Sequence, residues 1–183
     1  TDAAFSTERV DGSDVYKMAI NIAKMGWKTS DTAIVTRGDE IADALAATPL
    51  AYAKGKAPIL FTKTNQLPSE VLDELIELNV KTVYIIGGEG AVSDNVEKIL
   101  AKQFGAGNVI RLGGSDRIET AMDVAKAAFP DGTKEAVISG AYTNADALSI
   151  SSIAAVRGMP ILLVDNRMTD EVAEYIKGKT VYA

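Results

Sequence analysis

Arg111-Leu112-Gly113-Gly114-Ser115-Asp116-Arg117-Ile118-Glu119-Thr120-Ala121-Met122-Asp123-Val124-Ala125-Lys126 reads as the end of a strand, a glycine turn and a helix that opens on an acid. The same pattern stands earlier in the chain as Arg9-Val10-Asp11-Gly12-Ser13-Asp14-Val15-Tyr16-Lys17-Met18-Ala19-Ile20-Asn21-Ile22-Ala23-Lys24. Arginine, glycine, serine, aspartate, two alanines and lysine coincide, and the apolar positions coincide with them. Self-similarity of this kind decides the architecture, because each copy is one structural unit whose neighbour helps bury its apolar face.

The correspondence continues downstream. Asp43-Ala44-Leu45 answers Asp146-Ala147-Leu148, Pro58-Ile59-Leu60-Phe61 answers Pro160-Ile161-Leu162-Leu163, and Val83-Tyr84 answers Val181-Tyr182. This divides the chain into a lead-in over 1–8, a first repeat over 9–107 and a second over 108–183. The second copy stops where the first goes on to Ile85-Ile86-Gly87-Gly88. It therefore lacks the glycine turn and the last helix of the repeat, and an exposed sheet edge or apolar face is expected there.

Within each copy, short strands alternate with helices. Strand-like runs occupy 32–36, 58–62, 82–86, 135–139, 160–164 and 180–182. Helical spacing of apolar residues runs from Ser13 to about Gly26, from Ile41 to Ala53, from Pro68 to Leu78, from Ser93 to Phe104, from Asp116 to Phe129, from Ala145 to Val156 and from Thr169 to Lys177. Pro49 inside the second helix is expected to kink or shorten it. The alternation predicts an α/β fold: tandem Rossmann-like repeats, each a small parallel sheet flanked by helices.

Composition narrows the chemistry. Of 183 residues, 47% are hydrophobic and 24% charged, the profile of a folded domain, and the formal net charge is −6, which argues against a nucleic-acid binder. With no cysteine and no histidine, thiol catalysis, disulfides, common zinc sites and ordinary imidazole acid–base chemistry are all absent. The serines near 139–152 have no nucleophile-elbow motif and no histidine to activate them. No cofactor and no metal site is expected.

These pieces together resemble the cell wall-binding repeat type 2 family of Gram-positive surface proteins. The resemblance rests on Arg111 to Ala121, Asp43-Ala44-Leu45-Ala46-Ala47, Pro160-Ile161-Leu162-Leu163, and Val83-Tyr84-Ile85-Ile86-Gly87-Gly88-Glu89-Gly90-Ala91-Val92-Ser93. It implies a noncovalent, non-catalytic anchor at the cell wall outside the cell, holding an anionic, teichoic-acid-like secondary wall polysaccharide. It also implies three tandem repeats arranged as a pseudo-threefold; the incomplete second copy points to a further repeat or a homo-oligomer as partner. With no apolar run near the roughly 18 to 20 residues of a membrane span, no membrane insertion is expected. The Pro-Ile-Leu segments, with nearby basic residues, are implicated in polymer contact. The chain departs from the pattern in having two copies, in Phe61 at the end of the first segment, and in Val15-Tyr16-Lys17 where the second copy has Arg117-Ile118-Glu119.

The expected polymer contacts are therefore Pro58, Ile59 and Leu60 with Lys54, Lys56 and Lys63 around them, and Pro160, Ile161, Leu162 and Leu163 with Arg157 and Arg167. On periodicity alone the apolar segments are core strands and the lysines are scattered surface charge. For an anionic ligand the bases should cluster, while Asp73, Glu74, Glu77, Glu97, Glu171 and Glu174 lie on outer helical faces. Asp116 and Glu119 have the spacing of a capping pair. Asp43 and Asp146 sit among small apolar residues, and if buried need partners, for which the recurring Arg9 and Arg111 are candidates. Gly87-Gly88-Glu89-Gly90 matches no phosphate-binding fingerprint and reads as a strand-to-helix turn. A small-molecule-binding or carboxylate-based enzyme domain using Asp43 or Asp146 at the strand ends is the alternative function, and pure assembly with partner chains a third.

Overall fold

The computed structural model describes residues 9–183, so the lead-in over 1–8 lies outside the described residues. Seven helices and seven strands alternate through them: α1 (Val15–Gly26), β1 (Thr32–Arg37), α2 (Ala42–Ala53), β2 (Ile59–Thr62), α3 (Ser69–Glu77), β3 (Thr82–Ile86), α4 (Asp94–Phe104), β4 (Val109–Leu112), α5 (Arg117–Ala128), β5 (Glu135–Gly140), α6 (Asn144–Arg157), β6 (Ile161–Val164), α7 (Asp170–Ile176) and β7 (Thr180–Tyr182). Every strand pairing is parallel. The first sheet has the order β2-β1-β3-β4 and the second β6-β5-β7. The two sheets share one winding, since β6, β5 and β7 stand where β2, β1 and β3 stand in the first repeat. β4 hydrogen-bonds to β3 and completes the first sheet, so that sheet extends past the 107/108 division read from the sequence.

Period-two alternation places the core on both faces of the first sheet. Ala33, Val35, Val83 and Ile85 face α1, α3 and α4, in a cluster with Ile20, Leu75 and Leu100. Ile34 and Ile86 face the other way, onto Leu50 and Ala51 of α2 and Val124 and Ala128 of α5. In the second repeat Ile161 and Leu163 meet Ala42 and Ala46 of α2, while Ala136 and Leu162 meet Met122 and Val172.

α2 is thus the joint between the repeats. It is buried on every side, which explains a sequence with no polar stripe. Its alanines let α5 and α6 approach closely. This also corrects the expectation for Pro49: the helix runs unbroken from Ala42 to Ala53, with Pro49 buried inside it. The proline costs the hydrogen bond to Leu45 O, roughly 3 kcal/mol. Burial of Leu50 and Ala51 against the neighbouring repeat outweighs that cost.

The equivalent helix of the second repeat has a different environment. Leu45 is 8% exposed and its counterpart Leu148 59%; Leu50 is fully buried and Ile153 is 51% exposed. Val124 of α5 is buried, whereas Ile22, its counterpart on α1, is exposed. The outer faces of α6 and α1 are therefore apolar and uncovered among the described residues. No helix there is long and apolar enough to cross a membrane.

Candidate functional site

The sequence-predicted strands lie where expected, but their side chains point inward. Leu60, Ile161, Leu162 and Leu163 are buried in the cores, Pro58 and Pro160 are buried at the strand starts, and Ile59 is half-buried. The basic residues divide between the two ends of these strands. Lys54 and Lys56 precede β2 and Arg157 precedes β6, at the amino ends of the sheets; Lys63 and Arg167 follow β2 and β6 at the carboxyl ends. They do not converge on one crevice; each Pro-Ile-Leu strand instead has a cation at either end.

Four of the five cations lie over tyrosine rings: Lys54 over Tyr84 at 5.6 Å, Lys56 over Tyr52 at 5.7 Å, Lys63 over Tyr16 at 5.9 Å and Arg157 over Tyr182 at 5.3 Å. Arg157 also pairs with Glu135 at 2.5 Å. Tyr182 and Arg157 together hold the Glu135 carboxyl below the ordinary carboxylate range. Lys54, Lys56, Lys63 and Arg167 make no ion pair among the described residues.

A polar recess lies elsewhere. Between the repeats is a cavity of about 330 Å³, built from the loops after β1, β3, β4 and β5. In the order β2-β1-β3-β4 the chain leaves β1 and β3 in opposite directions, so their carboxyl ends form the switch-point crevice of an open parallel sheet. Arg37 ends β1, Glu40 lies in the loop after it, Asp43 is in the first turn of α2, and Gly88 and Ala91 follow β3. The second repeat contributes Gly114, Asp116, Arg117 and Tyr142.

Paired glycines allow this junction. A Cβ on Gly88 would meet Gly114 O at 2.4 Å, and one on Gly113 would meet Gly87 C at 2.3 Å. The two turns stack backbone on backbone, a spacing that only glycine permits. Arg111 holds the β3–α4 turn from below. It donates to Gly87 O and Val92 O, both at 2.8 Å, and pairs with Glu97 at 2.7 Å. Asp116 accepts from the N–H groups of Ile118 (2.8 Å) and Glu119 (2.9 Å), and Glu119 reaches back to Ser115 N at 2.7 Å. The capping pair read from the sequence is formed.

The charges in the cavity are unequally satisfied. Arg37 is held bidentately by Asp39, with both contacts at 2.7 Å. Arg117 donates to Glu40 at 2.6 Å and to Ala141 O at 3.1 Å, and its guanidinium lies 5.0 Å from the Tyr142 ring centre. Asp43 is 9% exposed and accepts no hydrogen bond from any described group. Burial pushes its carboxyl up to about 6, against the opposing pull of Arg117.

Several expectations are corrected here. Arg111 serves Glu97 and two carbonyls, and Arg9 pairs with exposed Asp11; neither meets an aspartate of α2 or α6. Asp146 is exposed, because among the described residues no further helix covers α6 as α5 and α6 cover α2. Glu74 is buried beside Lys24 at 3.3 Å and Glu97 is half-buried, so only Asp73, Glu77, Glu171 and Glu174 of the six acids lie on outer faces. Sequence reading missed Arg37, Glu40 and Tyr142. Strand order would have located them through the switch point, but strand order is not written in local periodicity.

Known proteins share this arrangement. The profile of the family described as cell wall binding domain 2 matches residues 9–97 and 111–183. The N-acetylmuramoyl-L-alanine amidase LytC of Bacillus subtilis (strain 168) is 40% identical over 160 residues, 87% of this chain and 31% of that protein. The amidase enhancer of the same organism is 34% identical over 175 residues, 96% of this chain and 24% of that protein. Among solved structures, Cwp8 from Clostridium difficile matches with a TM-score of 0.86 at 36% identity, covering 94% of this chain and 30% of that one. Cwp6 from the same organism matches with a TM-score of 0.78 at 33% identity, covering 90% and 27%. The chain thus spans about a third or less of each relative. The family match takes in both tandem repeats, and the chain belongs to the cell wall binding domain 2 family, a wall-binding module of the cell surface.

Proposed function

We propose that this module holds an anionic, teichoic-acid-like secondary wall polymer noncovalently and performs no chemistry on it. The observation that carries this reading is the placement of Lys54, Lys56 and Lys63: each lies over a tyrosine ring and none is neutralised by an acid. A glycan phosphate presents charge and sugar faces in alternation. An ammonium attracts the phosphate, and the tyrosine ring beneath it holds it in place without neutralising its charge. Arg157 and Arg167 place the same charge at either end of β6. Repetition of weak contacts along one polymer raises the effective concentration of each later one.

The cavity supports binding over catalysis. Burial raises the Asp43 carboxyl to about 6, closer to the working range of a general acid or base, but it has no free carboxylate partner. Glu40 is tied to Arg117, Asp116 is committed to the α5 cap, and Asp146 is exposed on α6. We further propose that the apolar outer faces of α6 and α1 are covered by another repeat, in the same polypeptide or in a second copy. Both faces are counterparts of surfaces that meet inside this chain.

Sedimentation of the chain with purified wall polymer tests the ligand. Simultaneous Lys54→Glu, Lys56→Glu and Lys63→Glu should abolish co-sedimentation while the thermal unfolding midpoint stays unchanged. Binding equal to that of the unmodified chain would overturn the contact assignment.

A further inference from the structure

We propose that the cavity between the repeats is a second binding subsite, which takes a single uncharged pyranose ring, not a phosphate. Its charge state carries the argument. Both arginines that line it are already occupied: Arg37 by both oxygens of Asp39, Arg117 by Glu40 and Ala141 O. The remaining charged groups are carboxylates, while the donors left in the lining are neutral hydroxyls and backbone N–H groups. Asp43, nine-tenths buried, faces the cavity with no donor, and the Glu40 and Asp116 carboxylates stand nearby. An anion entering here would meet three carboxylates and no free cation. A hydroxyl group supplies the donor that Asp43 lacks.

Shape points the same way. Tyr142 is 69% exposed at the mouth, with one face backed by the Arg117 guanidinium. The open face of that ring suits the C–H face of a sugar. The volume of about 330 Å³ is at the small end for ligand sites and fits one ring, not a chain segment. The position at the switch point of the first sheet is where open parallel sheets bind ligands. The cavity also needs both repeats, since Asp43 and Glu40 come from one and Arg117 and Tyr142 from the other. Copy one has Val15 where copy two has Arg117, so α1 cannot build the same site.

The inference rests on the wall-polymer reading only for the source of the sugar, and the two fail separately. The test is a titration of the whole chain, followed by amide chemical shifts, with glucose, mannose and N-acetylated hexosamines as one arm and inorganic phosphate as the other. At millimolar concentrations at least one neutral sugar should shift the amides of Gly88, Gly114 and Tyr142. Tyr142→Ala and Asp43→Ala should each weaken that sugar about tenfold, a loss typical of a buried aromatic or hydrogen-bonding contact. Both variants should keep the unfolding midpoint of the parent or exceed it. The triple lysine reversal should leave sugar shifts intact while abolishing polymer sedimentation. Shifts caused by phosphate alone, no shifts with any sugar, or sugar shifts unaffected by Tyr142→Ala would overturn the proposal.

Discussion

Asp43 is a buried carboxylate without a hydrogen-bond donor, and it makes a signed prediction. Its carboxyl is raised from 3.8 to about 6 in the folded chain. A raised acid binds its proton more tightly when folded, so its penalty is absent below the unfolded pKa and complete above the folded one. Between pH 4 and pH 7 the group therefore removes about 3 kcal/mol of stability. Asp43→Asn should recover that amount at pH 7 and almost none at pH 4, measured as the difference in urea unfolding free energy at the two pH values. Equal effects at both would show that the carboxylate is not the cause. A second pair separates formed caps from nominal ones. Asp116 accepts two N–H groups at the start of α5, whereas the Ser93 side chain makes no capping bond to α4. Asp116→Ala should cost about 1 kcal/mol by denaturant unfolding and Ser93→Ala close to nothing.

Elements that depend on local pattern were legible in the sequence. The strands, the helix openings at Asp14, Asp116 and Thr169, and the glycine turns follow from neighbours in the chain. What depended on the fold was not legible. Asp43-Ala44-Leu45 and Asp146-Ala147-Leu148 are locally identical, yet the first is buried and only Ala147 of the second is. Nothing within α2 or α6 specifies that α2 alone lies between two neighbouring helices. The basic residues are a different case. Lys54, Lys56 and Arg157 precede their strands and Lys63 and Arg167 follow them, so chain order alone puts them at opposite ends of parallel sheets, and grouping them by proximity to the Pro-Ile-Leu strands overlooked this. The asymmetry yields a paired test. Leu50→Ala in α2 should destabilise by about 3 kcal/mol, because it empties packed space between the repeats. Ile153→Ala, the matching change in α6, should stay within about 0.5 kcal/mol in this chain. Similar losses at both positions in chemical denaturation would contradict the placement of α2 as the joint.

At the scale of the whole molecule, two sheets share one helix and create between them a cavity that neither repeat could form alone. The net charge of −6 does not oppose an anionic ligand. Several acids are occupied by ion pairs or lie on outer helices, while cations at both ends of β2 lie free over tyrosines. The polymer binding proposed for them is electrostatic at its origin and should weaken as salt screens it. Adding sodium chloride to a mixture of the chain and purified secondary wall polymer measures this most directly. The bound fraction should fall steeply and reversibly with salt, and the chain carrying Lys54→Glu, Lys56→Glu and Lys63→Glu should show little binding at any salt. Polymer binding that is unchanged by salt, or equal in the two chains, would contradict an electrostatic origin.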